Sequence, residues 1–188
     1  LRSLRRRLGC RRPVALLAAA DAVMAGRRAG ESRLTTPGSG PLPPGIPLVP
    51  PRAEFIWDCI AELAPTMALG EGPLGERRIG PILGGSFAGP RIRGRVLPGG
   101  ADRQLVRRDG VRRLEAIYEL QAADGAVTGV RNHVVVAPVP GAADNRFTTL
   151  EITAPAGPHD WLNRLAFVGM LHVLRPGQAV LVRVYARG

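Results

Sequence analysis

The stretch Glu54-Phe55-Ile56-Trp57-Asp58-Cys59-Ile60-Ala61-Glu62-Leu63 places Phe55, Trp57, Cys59, Ala61 and Leu63 on one side and Ile56, Asp58, Ile60 and Glu62 on the other. Successive side chains of a strand point to opposite faces, so this period of two predicts a β-strand with one strongly apolar face. The pattern recurs downstream. Arg91-Ile92-Arg93-Gly94-Arg95-Val96 alternates with its arginines on one side, where Glu115 and Glu119 offer cross-strand partners. Leu114, Ala116, Tyr118 and Leu120 share a face against Glu115, Ile117, Glu119 and Gln121. Further strand-like runs cover 126–136, 146–153, 164–174 and 179–186. Asp109-Gly110 and Asp124-Gly125 sit between runs, where a hairpin needs residues at φ > 0, and Arg175-Pro176-Gly177-Gln178 is another turn signal. No segment after residue 54 carries a 3.6-residue apolar stripe long enough for a major helix. About eight short strands predict an all-β fold. A single antiparallel β-barrel, lipocalin-like or calycin-like in general shape, fits better than a sandwich. Several strands have a semi-polar second face, as a cavity lining would.

Upstream of Glu54 the texture is different. All 26 basic residues of the 188-residue chain are arginine, and the net charge of +11 is uneven. Residues 1–53 hold ten arginines against Asp21 and Glu31, whereas residues 54–188 hold sixteen against thirteen acids. The folded part therefore carries only +3, an ordinary surface. Arg5-Arg6-Arg7 and Arg11-Arg12 precede an apolar run centred on residues 14–20, the shape of an export signal over residues 1–26. A short amphipathic helix, or an upstream stretch included by a misassigned start, reads the same residues. Residues 36–51 are dense in Pro and Gly and predict an extended linker. The expected organisation is thus a disordered or extended Arg/Pro-rich segment, 1–53, followed by a barrel domain, 54–188. The expected location is cytoplasmic, or exported if residues 1–26 act as a signal.

Composition removes several function classes. Two cysteines cannot build a disulfide-dense scaffold or a four-thiolate zinc site. His133, His159 and His172 share no metal-ligand spacing, so neither a metal nor another cofactor is expected. No apolar run approaches the ~20 residues of a membrane-spanning helix. Aromatic residues make up only 4% of the chain, too few to interleave a basic face that reads nucleic acid.

The motifs from Gly80 onward carry a resemblance. Pro81-Ile82-Leu83-Gly84-Gly85-Ser86-Phe87 is followed by Gly89-Pro90-Arg91-Ile92-Arg93-Gly94 and Val96-Leu97-Pro98-Gly99-Gly100-Ala101-Asp102. Then come Leu105-Val106-Arg107, Tyr118, Arg131-Asn132 and Trp161-Leu162-Asn163-Arg164. This order resembles the bacterial domain-of-unknown-function 3237 family over about residues 54–186. The resemblance implies a compact antiparallel β-barrel and imports no reaction. The sequence departs from the family pattern at Arg103, along His133-Val134-Val135-Val136, and in the short stretch 137–145.

Six residues stand out as candidates. Asp102 follows two glycines that allow a tight turn at a barrel rim, where a carboxylate can act as a general base or bond its own backbone. Arg146 can hold a carboxylate or enolate oxygen, or pair with Glu119 or Glu151. Tyr118 is either a core tyrosine or a proton donor. These three are the catalytic candidates. Asn132, Trp161 and Asn163 are the ligand-binding candidates, with Trp161 plugging the barrel end and Asn163 capping a turn as the structural alternative. Asp102, Trp161 and Asn163 are expected to converge at one rim. The functional expectation is a small-molecule-binding barrel, either a cofactor-independent isomerase, lyase or cyclase on a small oxygenated or cyclic compound, or a non-catalytic carrier. Its partner is a small molecule, with no nucleic acid and no membrane span, and self-association is left open.

Overall fold

The computed structural model describes residues 52–141 and 143–187. The readings of residues 1–51 as signal and linker lie outside the described residues. Ten strands follow one another: β1 (Ala53–Leu63), β2 (Met67–Gly72), β3 (Gly75–Ala88), β4 (Arg93–Val96), β5 (Ala101–Val106), β6 (Arg112–Ala122), β7 (Val127–Ala137), β8 (Asn145–Thr153), β9 (Phe167–Arg175) and β10 (Ala179–Arg187). A 3-10 turn, Asp160–Arg164, precedes β9, so that strand starts later than the alternation at 164–174 predicts. No helix among the described residues is long and apolar enough to cross a membrane.

Every pairing is antiparallel, and the pairings close. The order runs β1-β10-β9-β8-β7-β6, passes to β3 through β4 and β5 side by side, and returns from β3 to β1. Closure is what the edges demand, because a sheet closed on itself leaves no row of unpaired N–H and C=O groups along the ring. The all-β barrel expected from the alternation is therefore the fold found. The hairpin turns fall where the Asp-Gly pairs put them, with Gly110 at φ 84° and Gly125 at φ 91°.

β1 corrects one detail of the alternation. A bulge between Phe55 and Trp57 shifts the register against β10, and both Ile56 and Trp57 are buried. Phe55 is displaced outward, where it meets Tyr185 edge-on. A bulge inserts one residue and so inverts the parity of everything before it.

β3, the long strand that period-two reading leaves unassigned, is the corner of the barrel. Its first half pairs with β2 and β5, its second with β1 and β4, and its register against β1 slips between Glu62 and Leu63. Gly84 and Gly85 sit at this bend with φ of 145° and 143°. A Cβ on Gly85 would stand 2.0 Å from the Ile60 carbonyl oxygen, which belongs to β1 backbone and cannot step aside. Gly85→Ala is expected to cost about 3 kcal/mol or more, because it combines a backbone clash with a disfavoured φ. Gly99→Ala provides the contrast. Gly99 has φ 107° with nothing within 4 Å of a built Cβ. That change should cost only about 1–2 kcal/mol of backbone strain. Urea unfolding midpoints of the two variants measure the difference; equal losses would show that the β1–β3 seam is not tight.

The packed core fills one end of the barrel. Trp57 is fully buried, edge-on to Phe87 at 5.7 Å and stacked on Phe167 at 6.3 Å between ring centroids. Leu120, Val184 and Leu162 of the 3-10 turn complete the plug. Among the described residues the other end is left open.

Candidate functional site

Cross-strand register stacks the inward residues of β3 and β5–β8 in layers above this plug. In the uppermost layer, Arg112 faces Val136, which faces Arg146. One layer down, Arg78, Gln104, Leu114, Val134 and Thr148 follow one another from strand to strand. The next layer reads Gly80, Asp102, Ala116, Asn132 and Leu150. Tyr118 and Val130 lie below it. Neighbouring strands are ~4.8 Å apart, so Asp102 and Asn132 stand roughly 10 Å apart across the small Ala116. A cavity of about 250 Å³ occupies this space and opens between Arg78, Arg112 and Arg146. Its opposite wall, from β1, β9 and β10, is Ala61, Leu63, Leu171, Val173, Val180 and Val182, with Cys59 at the foot. One wall is polar and the other apolar.

Asp102 is the decisive group. It lies inside β5 and not at a turn, because the glycine pair ahead of it brings the chain into contact with β6. A Cβ on Gly100 would press to 2.6 Å from Tyr118 Cβ. Asp102 Oδ2 accepts a hydrogen bond from Gln104 Nε2 at 2.6 Å, and Oδ1 is buried without a partner among the described residues. Burial pushes its carboxyl above the ordinary 3.8, against the opposing pull of the Gln104 bond and the Arg112 charge. The cation that acts on Asp102 is thus Arg112.

Tyr118 and Asn132 are both buried in the cavity lining. Burial, with Cys59 alongside, lifts the Tyr118 hydroxyl well above the ordinary tyrosine value, so it stays protonated. The Cys59 thiol is pushed up to about 12 by burial and is no nucleophile in this state. Asn132 Oδ1 accepts from Thr148 Oγ1, and no protein acceptor among the described residues takes up its Nδ2 group. An amide offers two donors on that nitrogen, and the cavity is where they are free to act.

Arg146 joins the site at its mouth. Its partner is Asp144, at 3.5 Å, and not Glu119 or Glu151. Trp161 and Asn163 do not converge with Asp102, for they belong to the 3-10 turn at the plugged end and do not line the cavity. Asn163 bonds the backbone of Ala154 twice, accepting from its N–H at 2.8 Å and donating to its carbonyl at 3.0 Å. Trp161 carries the Arg91 guanidinium on its ring at 3.9 Å. Of the arginines expected on one strand face, Arg93 and Arg95 lie exposed on the same face of β4 and Arg91, also exposed, lies just ahead of it; Arg95 bonds Gln121 at 2.6 and 2.9 Å, not a glutamate.

Comparison with known proteins bears on the whole barrel. Residues 51–186 match the profile of a family described as "Protein of unknown function (DUF3237)". The chain belongs to the DUF3237 family. Every cavity residue named above lies within the DUF3237 match. The chain is 42% identical over 81 residues to a UPF0311 protein of Rhodopseudomonas palustris (strain TIE-1), covering 43% of this chain and 53% of that one. The matched stretch thus spans about half the length of this curated relative. A solved beta-barrel like protein from Acinetobacter baumannii AYE superposes with a TM-score of 0.70 at 28% identity, covering 77% of this chain and 99% of that one. A structure described as an enzyme from Penicillium herquei superposes with a TM-score of 0.62 at 22% identity, over 77% and 99% of the two chains, and shares the fold.

Among the cavity residues that escaped the sequence reading are Arg78, Gln104, Arg112 and Cys59 as a lining group. Two were within reach of period two. Gln104 is Asp102 plus two, and Arg112 extends the face Leu114, Ala116, Tyr118 by one step toward the N-terminus.

Proposed function

We propose that the barrel domain, residues 54–188, is a small-molecule-binding unit whose cavity performs cofactor-independent proton transfer on an oxygenated compound. The observation that carries this reading is the Asp102 carboxyl, held on a strand inside the cavity with one oxygen unmet and its acidity weakened by burial. Such a carboxylate is a stronger base than an exposed one. With a ketone bound, Asp102 takes a proton from the carbon beside the carbonyl. The C–H electron pair becomes a carbon–carbon double bond as the carbonyl π pair moves onto oxygen, and the Tyr118 hydroxyl and Asn132 Nδ2 donate to the enolate oxygen that forms. Protonated Asp102 then returns the proton to the same or a neighbouring carbon. Isomerisation, elimination and ring closure all share this first step. Arg146 and Arg112 serve at the mouth.

Solvent exchange tests the reading. Small cyclic ketones in deuterated buffer are expected to gain deuterium beside the carbonyl faster with the protein than without it, as read by proton NMR. Binding of the same ketones without accelerated exchange supports a carrier in place of an enzyme. Neither binding nor exchange would defeat both readings.

A further inference from the structure

The mouth of the cavity is short of negative charge. Arg112 Nη2 and Arg146 Nη2 approach the same atom, Asp144 Oδ2, at 3.8 and 3.5 Å. A well-made guanidinium–carboxylate bond is ~2.7–2.9 Å, and one carboxylate neutralises one cation, not two. Arg78 differs. It donates to both oxygens of Glu76, at 2.8 and 2.5 Å, and is satisfied there. Asp102 feels the Arg112 charge from two layers below but makes no close ion pair with it among the described residues, so it does not occupy the guanidinium donors. Arg112 and Arg146 flank Val136 on adjacent strands, so both guanidinium groups stand over the same gap. Across the gap the wall presents the hydrocarbon side chains Leu63, Leu171, Val173, Val180 and Val182.

We propose that the ligand is a small carboxylic acid, its carboxylate seated between Arg112 and Arg146 and its apolar body laid against the β1–β9–β10 wall. This deepens the reading of the cavity as a small-molecule site and rests on it. The carboxylate takes N–H donors that Asp144 reaches only at long range. The volume of about 250 Å³ sets the size. It falls just under the ~300 Å³ at which drug-sized pockets begin, so one ring with a short acid arm fits and a long-chain fatty acid does not. An acid in this seat also hangs its body toward Asp102 and Asn132, where the polar wall begins.

Calorimetric titration of the full chain with phenylacetate and with its neutral isostere phenylacetamide tests the assignment. Phenylacetate is expected to bind at least about tenfold more tightly than the amide. Arg112→Gln and Arg146→Gln are each expected to weaken the acid about tenfold and the amide far less, with circular dichroism confirming the fold. Equal affinity for acid and amide, unaffected by either variant, would overturn this proposal and leave the small-molecule site standing. Binding of the acid without deuterium exchange into any ketone does the reverse, sparing this proposal and removing the catalytic one. Inorganic phosphate competing as well as phenylacetate would mark a bare-anion site and overturn the acid. No binding of either compound up to its solubility counts against the proposal as well.

Discussion

Asp102→Asn is expected to abolish exchange while making the protein more stable at neutral pH. On the catalytic side, removing a general base should slow deuterium incorporation by about 100-fold or more. On the stability side, the sign follows from burial. The folded carboxyl titrates above the ordinary 3.8. Between the two values the native state holds a proton that the unfolded chain has lost. Wild-type stability therefore falls as pH rises from 3.8 through the folded pKa, and the penalty persists above it. Asparagine carries no charge to desolvate. The melting temperature of Asp102→Asn should exceed that of wild type by a few degrees at pH 7–8, and the gap should close by about pH 3, where the wild-type carboxyl is protonated in the folded and the unfolded chain alike. A variant that is less stable by the same amount at every pH would mean that Asp102 is held by bonds worth more than its burial costs.

Trp57→Ala should be the most damaging single change in the barrel. The indole is fully buried between Phe87 and Phe167, and its loss removes both ring contacts and opens a void under the cavity floor. Burial lost together with cavity formed costs about 3–5 kcal/mol, a large part of the ~5–15 kcal/mol by which domains of this kind are stable. Trp57→Phe separates the causes. The indole Nε1 is buried with no partner among the described residues, so phenylalanine discards an unmet donor along with some volume. Its expected loss is about 1 kcal/mol or less. Chemical denaturation of both variants reads the two values; similar losses would show that a smaller ring does not restore the packing the indole provides.

Most of the barrel was legible because period two survives wherever both faces of a strand have distinct surroundings. β6 and β7 show this best, since each even-numbered side chain from Arg112 to Leu120 and from Thr128 to Val136 points inward. β3 was not legible, and its glycines are the reason. A strand that must pass from one set of partners to another needs residues without Cβ at the bend, and Gly84-Gly85 leaves no side chains there to show a period of two. Asp102 was recognised as the residue to watch, while its place inside a strand was hidden by the Pro98-Gly99-Gly100 turn that launches it. Asn132 and Arg146 came to the cavity through parity alone. Trp161 and Asn163 illustrate the limit of local reading. An aromatic and an amide side by side look like a binding platform, but only the closure of the ring decides which end they occupy. Arg112 and Asp144 form their relation across a long connection, which no local spacing encodes.

Ala53 and Arg187 face each other across β1 and β10, one strand spacing apart, at the plugged end of the barrel. Leu63 and Ala179, the opposite ends of the same two strands, border the mouth. The barrel is therefore polar in the directional sense, with both of its chain exits at the base and its opening at the top. A barrel fragment anchored to a sensor chip or resin through either exit presents an unobstructed mouth to solution. For the same reason a two- or three-residue splice from Arg187 to Ala53 would let the chain be reopened at a hairpin such as Asp124-Gly125, at the base, without disturbing a single residue of the arginine collar.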